Sequence, residues 1–356
     1  MRAIASTPRV QSGSRTTIMP LALLVAVGAG ACDGGPGDSP GGDGGRGASD
    51  ASSTGCVGDG DPFDPAALEA EVAFLAADER RGRAPGSPED LDTRMHIADR
   101  FACLGLAPVD GSFQQEFVDS RRRSTANVLG VLAGSDPAVA DQIIVIGAHH
   151  DHLGVLRGKV YNGANDNASG VATVLAVAQA VRRREQPPRR TIVFATFGSE
   201  ELGLEGSRHY THEAPDDLPI DDVVYMINLD MVGTYFNDDQ VYAFGSFPGT
   251  PARDALDELV ADHPDLAVEL GASAVAVEGL GDSDYAPFCR AGIPYLYFFT
   301  EDDQCYHRPC DDTAHLDYQH MSALVQLTAE ALLALGDSQV DLPAARARLG
   351  CGERSI

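Results

Sequence analysis

IIVIGAHHDHLG, residues 143–154, carries four aliphatic residues and two small ones directly into three histidines and an aspartate. An apolar run this short reads as a strand buried on both faces, as in a parallel sheet covered by helices. The same pattern recurs at 126–133, 191–197, 223–229 and 293–299. Helical stretches fall between several of these runs, near 169–184, 251–262 and 284–290, and a last helix is expected at about 317–335. Upstream, the spacing of Leu68, Val72 and Leu75 predicts a helix within 64–81. Residues 89–104 predict a second helix, and SFQQEFV at 112–118 a short strand. The expected fold is α/β, a mainly parallel mixed sheet with helices on both faces. One domain is expected over 56–340, followed by a tail at 341–356.

Composition narrows the function. Fifty-three acidic residues against 26 basic ones give a formal charge of −27 over 356 residues. That balance argues against nucleic acid and against an anionic membrane surface as partners. Residues 1–31 read as a signal peptide: Arg2, Arg9 and Arg15 precede the apolar stretch IMPLALLVAVGAGA, which is too short to span a bilayer. Cys32 follows immediately, in the position of a bacterial lipoprotein's acylated cysteine, so export and a lipid anchor at the cell envelope, or secretion, are expected. Residues 32–55 are mostly Gly, Asp, Ser and Pro and read as a disordered tether. Six further cysteines are an even number, as disulfides in an exported chain require. Cys305 and Cys310 are close enough in sequence to close a small loop. Among Cys56, Cys103, Cys289 and Cys351, a Cys56–Cys103 bond is preferred.

In a parallel sheet, ligands bind beyond the carboxyl ends of the strands. The runs here end in His149 and Asp151, in Glu200 and Glu201, in Asp230, and in Cys305-Tyr306-His307, and Asp166 precedes a helix. Singly, each has a plainer reading: a surface histidine, a solvated first turn of a helix, a turn-forming aspartate. Together they place carboxylates and imidazoles at one edge, the donor set of zinc or a similar divalent ion. Three carboxylates with two imidazoles exceed the needs of one catalytic zinc and suit two metals sharing a carboxylate, which can hold a hydroxide between them. The spare glutamate of the Glu200–Glu201 pair would then be a general base.

GAHHDHLG, NGANDNASGVATVL, FGSEELGLEGS, NLDMVG and CYHRPCD, in that order, resemble the bacterial double-zinc aminopeptidases of the M28 peptidase family. The resemblance runs over about 125–335, with a looser match at RRGRAPGSPED. It implies a three-layer zinc-exopeptidase fold and two zinc ions. His149 and Asp230 would hold one zinc, Glu201 and His307 the other, and Asp166 would bridge them. Glu200 would be the base, Tyr306 an oxyanion donor, and Asp151 the carboxylate that orients His149. It further implies a Cys305–Cys310 disulfide and a cis peptide after Asp166. The implied activity is hydrolysis of N-terminal residues from peptides with a free N-terminus, by a monomer. Ser283, Asp284 and Tyr285 are placed near the substrate pocket without a role. Strand alternation puts His149 and Asp151 on one side and His150 and His152 on the other. The H-x-D pairing and the family match select His149, leaving His150 and His152 as packing or pocket-rim residues. The alternatives are a single-zinc glutaminyl-peptide cyclotransferase and a non-catalytic binding module on the same scaffold.

Overall fold

A computed structural model of the chain describes residues 60–235, 239–271 and 283–349. In chain order the strands are β1 (Gln114–Val118), β2 (Ser124–Leu132), β3 (Ile143–His149), β4 (Gly154–Leu156), β5 (Lys159–Tyr161), β6 (Thr191–Phe197), β7 (Val223–Leu229), β8 (Gln240–Phe244), β9 (Ala267–Leu270) and β10 (Tyr295–Phe299). The helices are α1 (Pro65–Leu75), α2 (Pro88–Cys103), α3 (Gly170–Arg182), α4 (Glu205–His212), α5 (Pro251–Leu259), α6 (Tyr285–Arg290), α7 (Tyr318–Asp337) and α8 (Leu342–Leu349).

Eight strands form one sheet in the order β1-β2-β6-β3-β7-β10-β8-β9, and β4 pairs with β5 in a separate hairpin. The central strands β6, β3, β7 and β10 are mutually parallel, whereas β2 and β8 run antiparallel to their inner neighbours. The expected mixed, mainly parallel sheet is therefore found. Strand alternation sorts its core. Ile144, Ile146, Ile192 and Phe194 pack under α1, α2, α3, α5 and α7, while Ile143, Val145, Val193 and Phe197 pack with Tyr210 of α4 and Phe288 of α6. Both layers are dry, and β3, β6 and β7 are buried at every position, as their unbroken apolar runs require. Gly147 is obligatory within β3, because a Cβ there would lie 2.6 Å from the Phe197 ring.

The chain leaves β3 toward α3 and β6 on one side and later fills β7 on the other, so β3 marks the switch point where its class of sheet binds ligands. Several elements escape the sequence pattern. β4 and β5 have three residues each around Arg157-Gly158, both at positive φ, too short to show alternation. α4 buries Gly206, Ser207, Tyr210 and Thr211 instead of aliphatics, so it lacks an aliphatic period. The first helix stops at Leu75 because the polar run Asp78–Arg80 turns 3-10 and Arg81 takes φ 45°. Within the expected tail, Leu342–Leu349 form α8. Leu342 is buried in the core, and Arg346 of α8 donates to the carbonyls of Asp221 and Val223 at the start of β7 (2.6 and 2.9 Å).

Candidate metal centre

Each centre residue sits where an apolar strand runs out. His149 is the last residue of β3, Asp230 follows β7, Glu200 and Glu201 follow β6, and His307 lies in the loop after β10. Asp166 enters from the loop before α3, and its peptide to Asn167 is cis. That loop is tied to the end of β7: Asn167 Nδ2 donates to the Leu229 carbonyl (2.9 Å), and Met231 N donates to Asn167 Oδ1 (3.3 Å).

Five of the six side chains form two groups sharing Asp166, and Glu200 stands apart. His149 Nε2 stands 3.2 Å from Asp166 Oδ1 and 3.3 Å from Asp230 Oδ1. His307 Nε2 stands 3.1 Å from Asp166 Oδ2 and 3.2 Å from Glu201 Oε2. Donor atoms sharing one tetrahedral zinc, with bonds of about 2.0–2.2 Å, are separated by roughly 3.4 Å, so both groups have the right spacing. Asp166 Oδ2 is buried without a hydrogen-bond partner, as an oxygen held for a cation would be. The donor set fits two divalent ions, one carboxylate oxygen of Asp166 facing each.

The electrostatics agree. Burial alone would depress both imidazoles. The surrounding carboxylates nevertheless raise His149 far above its ordinary value, through Glu200 and Asp230, and raise His307 to about 10, through Asp166 and Glu201. The cluster attracts positive charge. Glu200 Oε2 lies 4.0 Å from His149 Nε2 and belongs to neither cluster of potential ligands. Burial, reinforced by Asp230, Asp284 and Glu201, raises its pKa well above the usual carboxylate range. Tyr306 is 45% exposed and stacks on the His307 ring with centroids 4.0 Å apart. Burial and the neighbouring carboxylates raise its phenol, which therefore keeps its proton. A groove of about 810 Å³ reaches the site at Glu200 and Glu201 and continues past Leu204, Arg208 and Arg290.

The supports differ from expectation in two places. His149 Nδ1 pairs with the backbone carbonyl of Asp151 (3.1 Å), while the Asp151 carboxylate lies 3.9 Å away. A carbonyl only accepts, so Nδ1 carries the proton and Nε2 keeps its lone pair for a metal. The carboxylate itself accepts from the N–H groups of Glu200 (3.0 Å) and Glu201 (3.4 Å), so Asp151 orients the glutamate turn more directly than the histidine. The second correction concerns His152. It is fully buried in the centre, with Nδ1 2.8 Å from Glu201 Oε1 and 3.8 Å from Asp166 Oδ2. Alternation fails there because β3 ends at His149. His150 does pack away from the centre, toward Thr196 (3.1 Å) and Asp90 (3.4 Å).

Sequence reasoning missed two other supports, Arg83 and Asp311, and left a third, Ser283, without a role. Arg83, 1% exposed, donates to the carbonyls of Leu75, His150, Asn162 and Gly163, stitching the exit of β3 to the Asp166 loop. Asp311 accepts from the N–H groups of Asn165 (2.6 Å) and Asp166 (3.0 Å). Ser283 donates to Asp230 Oδ2 (2.7 Å) and accepts from Asn228 (2.8 Å). Arg83 and Asp311 belong to the motifs RRGRAPGSPED and CYHRPCD, which are the only sequence signal for them. Tyr285 stacks on Tyr295 and Tyr297. Cys305 and Cys310 are bonded to each other around Tyr306 and His307. Cys103 and Cys289 each take part in a further disulfide. The expected Cys56–Cys103 pair involves Cys56, which, like Cys32 and Cys351, lies outside the described residues.

Residues 127–332 match Peptidase family M28. Aminopeptidase YwaD of Bacillus subtilis is 29% identical over 219 residues, covering 59% of this chain and 44% of its own length. Leupeptin-inactivating enzyme 1 of Streptomyces exfoliatus is 29% identical over 231 residues, covering 59% and 48%. The chain thus spans less than half the length of these curated relatives. Among solved structures, the zinc aminopeptidase BSAP of Bacillus subtilis superposes with a TM-score of 0.63 at 16% identity, over 80% of this chain and 98% of that one. LapB of Legionella pneumophila gives 0.62 at 22% identity, over 78% and 74%.

Proposed function

The chain belongs to Peptidase family M28, and from that premise we propose that it is a two-zinc aminopeptidase releasing N-terminal residues from peptides. One observation carries the reading: two ligand groups of one imidazole and two carboxylates share Asp166, and a non-ligating glutamate stands beside them. His149, Asp166 and Asp230 would hold one zinc, and Asp166, Glu201 and His307 the other. Bound there, the ions supply Lewis acidity toward the scissile carbonyl and make water easier to deprotonate. Glu200 takes the proton of the attacking water and returns it to the departing amine, a task for which its raised pKa suits it. Tyr306, still protonated, donates to the oxygen that becomes negative. The carboxylates favour a substrate whose free α-amino group carries positive charge. A peptide panel with free and blocked N-termini tests this reading. Turnover of the free peptides alone is expected, and cleavage of blocked peptides alone would overturn it.

Two complete groups favour the peptidase over a single-zinc cyclotransferase, and no expected ligand is absent, as a non-catalytic relative would allow. We also propose export, with lipidation at Cys32, on the basis of the arginine-flanked apolar stretch before that cysteine. Labelled fatty acid should enter the parent chain and not the Cys32→Ala variant; equal labelling would refute the anchor.

A further inference from the structure

His152 is the imidazole that the proposed chemistry leaves unused. It is fully buried, and neither ring nitrogen nor Glu201 Oε1 has another hydrogen-bond partner. A buried imidazole left in that state is poor packing material. The fold makes room for it: Gly163 holds φ 61°, and a Cβ there would lie 2.6 Å from the His152 Cγ. The ring meets His307 edge-on, with centroids 5.8 Å apart. With Asp166 and Glu201 it forms a close trio of potential donors.

Distance decides between ligand and support. The four donor separations within the two zinc groups are 3.1–3.3 Å. His152 Nδ1 approaches Glu201 Oε1 at 2.8 Å and stays 3.8 Å from Asp166 Oδ2. The first distance is shorter than the roughly 3.4 Å between donors on one zinc, and the second is longer. A contact of 2.8 Å between two lone pairs would be repulsive, so Nδ1 is the protonated nitrogen.

Resting on the zinc reading, we infer that His152 is a positioning residue. It holds one oxygen of Glu201 so that the other, Oε2, stays turned toward His307 and the metal. A residue supporting a ligand in this way typically changes metal affinity about 10–100-fold.

The test is a competitive chelator titration resolving both zinc dissociation constants, applied to the parent, His152→Ala, His152→Asn, His152→Gln and His307→Ala. Asparagine places its amide nitrogen as far from the backbone as Nδ1, and glutamine places it one methylene further. His152→Ala should raise one constant about 10–100-fold and leave the other unchanged, and His152→Asn should recover most of that loss where His152→Gln does not. Two unchanged constants in His152→Ala would reduce the residue to packing. Loss of a zinc as complete as in His307→Ala, without rescue by asparagine, would make it a ligand, and either result overturns the inference. If the alanine variant fails to fold, the Asn–Gln contrast decides alone, and equal affinities overturn it. A parent that binds fewer than two zincs defeats the zinc reading itself, before any substitution is compared.

Discussion

His149 and Asp230 stand at the ends of the central strands β3 and β7, 1% and 9% exposed. Across Asp166, His307 sits in a loop at φ 54° with its side chain 36% exposed. The first half of the centre inherits its geometry from the sheet, whose hydrogen-bonded ladder and dry core leave little freedom. The second half needs separate supports. The Cys305–Cys310 disulfide brackets the loop, and Asp302 accepts from Gln304 N (3.0 Å) and Cys305 N (2.8 Å) while His315 reaches its other oxygen (3.0 Å). Asp311 holds the backbone of Asp166. Strand ends take their ligands' positions chiefly from the sheet, with Ser283 on Asp230 and Arg83 behind His149, whereas the loop relies on a tier of side chains of its own. Open loops are also where local unfolding is cheapest.

Asp166 belongs to both halves, so its removal should have the largest effect. Asp166→Ala is expected to lose both zincs and more than about 10³-fold in turnover, since each metal contributes several kcal/mol. Native mass spectrometry reads the metal count, and retention of two zincs would show that Asp166 bridges nothing.

Next in size is the asymmetry itself. His149→Ala and His307→Ala should each keep one zinc, and slow chelation of the parent should remove first the zinc that His307→Ala lacks. Simultaneous release, or the opposite order, would break the distinction between a sheet-built and a loop-built half.

The smallest effect concerns His150, one residue beyond a ligand yet turned into the core. Burial, with Arg94 and His149 nearby, lowers its pKa against the pull of Asp90, so it is neutral in the folded chain. The unfolded chain takes up that proton below about pH 6.5. The corresponding stability is therefore complete above about 6.5 and declines as pH falls through it. His150→Asn should bind both zincs and, in zinc-free buffer, lose less melting temperature than the parent between about pH 7 and 5. A parallel decline in the two proteins would show that His150 does not titrate on unfolding.

The same contrast governs what can be read in advance. Ligands at strand ends are legible because several apolar runs end in charged or imidazole side chains at one edge of the sheet, as at His149, Glu201 and Asp230. The sheet is legible from the same runs, down to the parallel central strands. His152 is not, because alternation holds only while the backbone stays extended, and β3 ends three residues earlier. Asp151 is half legible: its place beside the site follows from sequence, but its carboxylate goes to the N–H groups of Glu200 and Glu201. Arg83 and Asp311 act on backbone atoms, and contacts to the backbone leave no pattern in the partner's sequence. α8 reads as a tail because Leu342 and Ala345 are its only deeply buried apolar side chains among the described residues.

Holding the metals and moving the proton fall to different side chains, and Glu200→Ala separates the two tasks in one protein. Zinc content by native mass spectrometry and turnover of an aminoacyl chromogenic substrate are measured on the same preparation. Two zincs per chain with turnover reduced about 10²–10⁴-fold is the predicted result. A variant that loses a zinc, or one that keeps two and turns over at the parent's rate, would show that Glu200 is not a dedicated proton carrier.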